Sequence, residues 1–135
     1  MKRILFVVLM MSCSVSWAEW ELCGSTGQGD EMMTIYCDKS TIKRNGSISR
    51  MWGLKNSSKA RTDSLGNRFM SYKVLETYNC REETVATISI VFYSGLSGEG
   101  NVVWSGSTQE RQLNWEPIVP GTSGETLWKI ACGKG

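Results

Sequence analysis

The chain has 135 residues and not one is histidine. That absence removes the commonest general base and the commonest metal ligand at neutral pH. Triads of the Ser-His-Asp or Cys-His kind are excluded with it. The five cysteines include no C-x-x-C pair, so no zinc-site spacing is present. No apolar run approaches the roughly 20 residues that a helix needs to cross a bilayer. Proline is scarce. Pro117 and Pro120 stand close together, which denies a helix to the stretch from Trp115 to Gly121. Phosphate-binding glycine loops and nucleophile elbows are missing as well. No cofactor and no metal are expected.

What is present begins with the first residues, MKRILFVVLMMSCSVSWAEW. Lys2 and Arg3 precede an apolar run from Ile4 to Met11, and Ser16-Trp17-Ala18 forms a small-x-small site. This is the layout of a secretory signal peptide. Residues 1–18 are read as the leader and 19–135 as one domain, with cleavage between Ala18 and Glu19. A lipid-attachment reading, with Cys13 as the first mature residue, fits poorly because bulky Met10 and Met11 precede Ser12. Without Lys2 and Arg3, 13 basic residues face 13 acidic ones. A neutral chain gives no reason to expect a nucleic-acid partner. Without Cys13, four cysteines remain: Cys23, Cys37, Cys80 and Cys132. In an exported chain they read as two disulfides, for which three pairings exist.

Gly, Ser and Asn recur at short intervals, which suits an antiparallel sheet with tight turns. TIKRNGSISRMW reads as a hairpin closed by Asn45-Gly46. That turn would pair Lys43 with Ile48, Thr41 with Arg50 and Lys39 with Trp52. KARTDSLGNR reads as a loop. FMSYKVLETYNC and TVATISIVFY alternate with period two and read as strands, the second with Ala86, Ile88, Ile90 and Phe92 on one side. At the end, Thr122 and Glu125 have the spacing of a capping box. Leu127, Ile130 and Ala131 then share one helical face. A helix of about ten residues is marginal alone and needs a sheet to lie on. Cys80, on the apolar parity of the long strand, is the natural partner for Cys132, which leaves Cys23 for Cys37. The expected fold is α+β: one antiparallel sheet of about six strands with a short, disulfide-tethered C-terminal helix.

Several stretches resemble the surface-adhesin protein E-like family of proteobacteria. They are YCDKSTIKRNGSISRMWGL, SYKVLETYNCREET, FYSGLSGEGNVVW and NWEPIVPGTSGETLWKIACGK. The resemblance spans nearly all of residues 19–135. It implies a helix held by a disulfide on the concave side of the sheet. It also implies binding without catalysis, host extracellular proteins as partners, and a homodimer. Cys23 and Cys37 look like an addition to the family's single bridge.

Between residues 39 and 61 stand seven cations and no acid. Lys39, Lys43, Arg44, Arg50 and Trp52 are the candidate binding residues. They suit a sulfated glycan, lipopolysaccharide or an acidic protein segment. The competing reading is a solvated face whose charge blunts edge pairing. Trp52 opposite Lys39 would allow a cation–π pair. The other tryptophans read mainly as core filler. Asp38 reads as structural, buried with a partner such as a tyrosine hydroxyl. Glu82 and Glu83 read as a turn, since neighbours on a strand point to opposite faces. Taken together, these readings describe an exported periplasmic, secreted or surface protein that binds an extracellular or envelope partner. The rivals are a periplasmic inhibitor or assembly factor, and a small carboxylate-dependent envelope hydrolase, which needs two acids facing across a cleft.

Overall fold

The computed structural model describes residues 19–134. The expected leader, with Cys13 and Ala18, lies outside the described residues. Among those described, seven strands form one antiparallel sheet. Six lie side by side in chain order: β1 (Glu21–Thr26), β2 (Met33–Asn45), β3 (Ile48–Thr62), β4 (Arg68–Asn79), β5 (Thr84–Tyr93) and β6 (Val102–Ser107). The two-residue β7 (Glu116–Pro117) pairs with the start of β5. One helix follows, α1 (Ser123–Cys132).

The helix forms where its caps allow. Thr122 accepts a hydrogen bond from the Glu125 amide at 3.4 Å, satisfying one orphan donor of the first turn. Glu125 itself pairs with Lys129, one turn on, at 3.2 Å. Gly133 ends the helix at φ +66°, which a side chain would resist.

α1 lies on the inner, concave face of the sheet. Leu127, Trp128 and Ala131 pack there against Ile35, Cys37, Met51 and Tyr78. Burying the larger aliphatic side chains among these, Leu127, Ile35 and Met51, contributes roughly 1.5–3 kcal/mol each. Three polar contacts fix the helix in place. The buried Ser49 hydroxyl donates to the Ala131 carbonyl at 2.6 Å. The Trp128 indole donates to the Asn79 carbonyl at 3.0 Å. The Arg44 guanidinium donates to the Cys132 carbonyl at 2.7 Å.

Two disulfides complete the frame. Cys80 joins Cys132 with Cα atoms 5.6 Å apart, tying the last turn of the helix to the end of β4. Cys23 joins Cys37 at 5.9 Å, bridging β1 and β2. Parity selects the same two pairs.

The pairing shifts register at five places, and one turn and two of these bulges bear on the expected contacts. The β2–β3 turn is Gly46-Ser47, flanked by the Asn45–Ile48 pair. Gly46 alone of the two central residues has positive φ, the pattern of a type II′ turn. Lys43 therefore faces Arg50, not Ile48. Further along, a bulge between Asp38 and Lys43 sets Asp38, not Lys39, opposite Trp52. Thr41 holds this bulge. Its hydroxyl donates to the Asp38 carbonyl at 2.6 Å and accepts from the Trp52 amide at 3.0 Å. A second bulge, around Ile88, puts Ala86 on the outer face and Ile90 and Phe92 on the inner one. The expected loop after Lys59 is partly strand, since β3 runs on to Thr62.

Asp38 is buried, at 3% exposure, as expected. Its partners are not tyrosines. One carboxylate oxygen accepts from the Ser40 amide at 3.0 Å, and the other from the Glu19 amide at 3.2 Å.

Candidate functional site

Of the seven cations between residues 39 and 61, four are engaged by acids. Lys39 pairs with Glu21 at 3.1 Å, and Lys55 with Glu76 at 3.9 Å. Lys59 pairs with Asp30 at 3.4 Å, and Arg61 with Glu31 at 3.2 Å. None of those acids lies within the basic stretch, which is why the sequence window looked uncompensated. Arg44 is spent on the helix terminus. It sits opposite Ser49 on the inner face, and its guanidinium caps α1 as described above. A cation at a helix C-terminus also complements the macrodipole.

Lys43 and Arg50 remain. Among the described residues neither has a carboxylate within ion-pair distance. They face each other across β2 and β3 on the outer face. Both line a groove of about 450 Å³. Its floor includes Ile48 and Thr77, and its far wall carries Glu110, Leu113 and Trp115. That wall belongs to the segment between β6 and β7. It reaches the hairpin because β6 and β7 both pair with β5, at different points along it. Trp115 is 38% exposed, so its ring is available to a ligand. The groove offers two cations free of other duties, Lys43 and Arg50, with the helix-capping Arg44 also lining it, an aromatic ring and apolar walls, and Glu110 limiting it at one side.

The expected Lys39–Trp52 cation–π pair does not form in this register. Lys39 turns to Glu21, and Trp52, half-buried, faces Asp38. The tryptophans divide. Trp128 is core, whereas Trp104 and Trp115 are exposed. The sequence offered no sign of Trp115 as a groove residue, because the hairpin cations it meets there, Lys43 and Arg50, are more than sixty positions away.

The hydrolase requirement points elsewhere. Glu82 and Glu83 lie in the turn after Cys80, and Glu83 has φ +54°. Glu76 is different. Burial raises its pKa, and the Lys55 ammonium lowers it only in part. It lines a polar recess together with Glu116.

The model of the surface-adhesin protein E family matches residues 20–133. The chain belongs to that family. It is therefore an exported, adhesin-like protein of the cell surface or envelope. Solved structures agree on the fold. One crystal form of Haemophilus influenzae protein E superposes with a TM-score of 0.56 at 16% identity, covering 73% of this chain and 80% of that one. A second structure of the same protein gives 0.54 at 16% identity, covering 73% and 76%. A structure of protein E from non-typeable Haemophilus influenzae gives 0.52 at 16% identity, covering 73% and 69%. No curated protein matches this sequence. At such low identity the likeness speaks for the sheet, the helix and their arrangement, and for no particular ligand.

Proposed function

We propose that this adhesin-family protein docks an anionic segment of an extracellular or envelope partner in its outer groove. A sulfated glycan or an acidic stretch of a host matrix protein has the right charge. The observation that supports this is the pair Lys43 and Arg50. They are cations with no carboxylate partner among the described residues, set in one groove with the exposed Trp115. Unpaired cations cost nothing to expose but are free to release counterions and bind polyanions. An aromatic anchor beside them supplies the apolar contact that hot spots use.

Heparin is the direct probe. The protein should be retained on a heparin column and released by moderate salt, because exposed charges are screened within about 10 Å at 0.1 M. Lys43→Glu with Arg50→Glu should abolish retention while the unfolding midpoint stays unchanged. Wild-type elution at trivial salt, or co-elution of the double reversal, would leave the cations as a solvated face.

Processing and assembly belong to the same proposal. The precursor is cut between Ala18 and Glu19, giving an unlipidated mature chain that forms a homodimer. Intact mass and sedimentation velocity test both parts. A periplasmic inhibitor or assembly factor would use the same groove for a resident envelope protein. An affinity pull-down from the producing cell's envelope, run beside host matrix proteins, separates the two.

A further inference from the structure

The helix covers only part of the inner face. Its main contacts are with β1 to β4, and they do not extend along the Phe92 and Trp104 ends of β5 and β6. Across that part of the face runs a row of directly paired residues: Lys55, Tyr72, Phe92 and Trp104. Tyr72 and Phe92 have ring centroids 5.3 Å apart, and Phe92 and Trp104 5.8 Å. Trp104 is 37% exposed. Its indole leans along β6 over Gly106, where a Cβ would stand 2.5 Å from the ring. Glycine there makes room for the ring and keeps the floor smooth.

Beside this aromatic floor lies the polar recess, about 320 Å³ in volume. It is lined by Glu76, Thr87, Thr108, Gln112, Asn114 and Glu116. Gly106 and Thr108 are two residues apart on the same strand line, so the recess begins about 7 Å beyond the end of the indole. That is roughly one sugar ring away.

We propose that this trough is a binding site for an uncharged pyranose chain. One ring lies on Trp104, beside Phe92, against which the buried Phe69 packs at 4.4 Å, and the next places its hydroxyls in the recess. The chemistry matches on both sides. A pyranose has an apolar C–H face, which the negative face of an aromatic ring attracts. Its hydroxyls both donate and accept, and so need carboxylate, amide and hydroxyl partners, all of which line the recess. With Lys55 already paired with Glu76 at 3.9 Å, Glu116 is left to repel a phosphate or sulfate chain. The Lys55 ammonium already stands 5.6 Å from the Tyr72 centroid and occupies that ring as a cation would. The site lies on the opposite face from Lys43 and Arg50, so it stands or falls independently of the groove.

The experiment titrates the folded mature protein with tetra-N-acetylchitotetraose, cellotetraose and lacto-N-neotetraose at millimolar concentration. Binding is read from the Trp104 indole N–H resonance and from tryptophan fluorescence. At least one saccharide should shift that resonance. Trp104→Ala should weaken its binding about tenfold, and Trp104→Phe should restore most of it. Asn114→Ala and Glu76→Gln should each weaken it, whereas Lys43→Glu with Arg50→Glu should not. Near-UV circular dichroism confirms that each variant is folded, and the phenylalanine variant keeps the test valid if the alanine one is not. No response to any of the three saccharides would overturn the proposal, as would saccharide binding unchanged by Trp104→Ala. Trp104-dependent binding of a hexa-arginine peptide in place of the sugars would also overturn it, by showing that the carboxylates read a cation.

Discussion

The carboxylate of Asp38 holds the backbone of Glu19, the first residue after the expected cleavage point, at 3.2 Å. Asp38 is almost fully buried, and its other oxygen is satisfied by Ser40. A buried carboxylate with these bonds is costly to unpair. Asp38→Ala should lower stability by about 2 kcal/mol, the range for hydrogen bonds to charged groups. Urea unfolding reads this directly. Proposed cleavage after Ala18 would turn the Glu19 amide into an ammonium and the hydrogen bond into an ion pair. A chain starting at Glu19 should then be more stable than the same chain N-acetylated. Equal midpoints would show that the bond gains nothing from maturation.

Arg44 and Lys43 are sequence neighbours with opposite duties. Arg44 should matter to folding and Lys43 to binding. Arg44→Ala removes a bond to the Cys132 carbonyl and a cation at the helix C-terminus, a loss of about 1.5 kcal/mol. Lys43→Ala should fall within about 0.5 kcal/mol, as surface changes usually do. Thermal unfolding of the two variants, run beside heparin retention, should separate the effects cleanly. If Arg44→Ala unfolds like wild type, the helix cap is dispensable.

Much of this division was beyond reading from the sequence. The Thr122 cap, the Leu127 face and the parity of Cys80 are local signals, and they located the helix and its bridge. The bulge after Asp38 is different. It depends on one threonine hydroxyl bonding two backbone groups, and Thr41 carries no mark of that in its neighbours. Its consequence is large, since it moves Lys39 away from Trp52. The Ile88 bulge likewise splits a run that reads as one apolar face. The groove was half legible. Its cations share one hairpin, where Lys43 faces Arg50, but Trp115 and Leu113 arrive from the far edge of the sheet. No periodicity encodes that meeting.

The Cys80–Cys132 bridge spans 52 positions and pins a helix too short to stand alone. Replacing both cysteines by serine should cost about 4 kcal/mol in the chain-entropy picture. The shorter Cys23–Cys37 loop should cost about 3 kcal/mol. Hydrogen exchange supplies the sharper check. Without Cys80–Cys132, the α1 amides should lose protection before those of β3 and β4 do. Uniform loss across the sheet would mean that helix and sheet unfold as one unit.

Glu76 gives the fold a pH dependence of unusual sign. Burial raises its pKa above the ordinary carboxylate value, and Lys55 at 3.9 Å offsets this only partly. The folded state therefore holds this proton more tightly than the unfolded chain does. As pH rises from the unfolded value through the folded one, the unfolded chain releases its proton first. Stability is lost across that window, and the deficit persists at neutral pH. Acid should relieve it. Glu76→Gln mimics the protonated form, so it should raise the unfolding midpoint at pH 7 and converge with wild type near pH 4. Paired carboxylates elsewhere, such as the Asn67-bonded Asp63 with its lowered pKa, act in the opposite direction, losing stability as pH falls. The Glu76 contribution must therefore be taken as the difference between variant and wild-type curves, measured in urea at each pH. A Glu76→Gln curve lying below wild type at pH 7 would mean that the Lys55 ion pair outweighs burial. Glu76 would then be a stabilising charge and no longer a strained one at the edge of the polar recess.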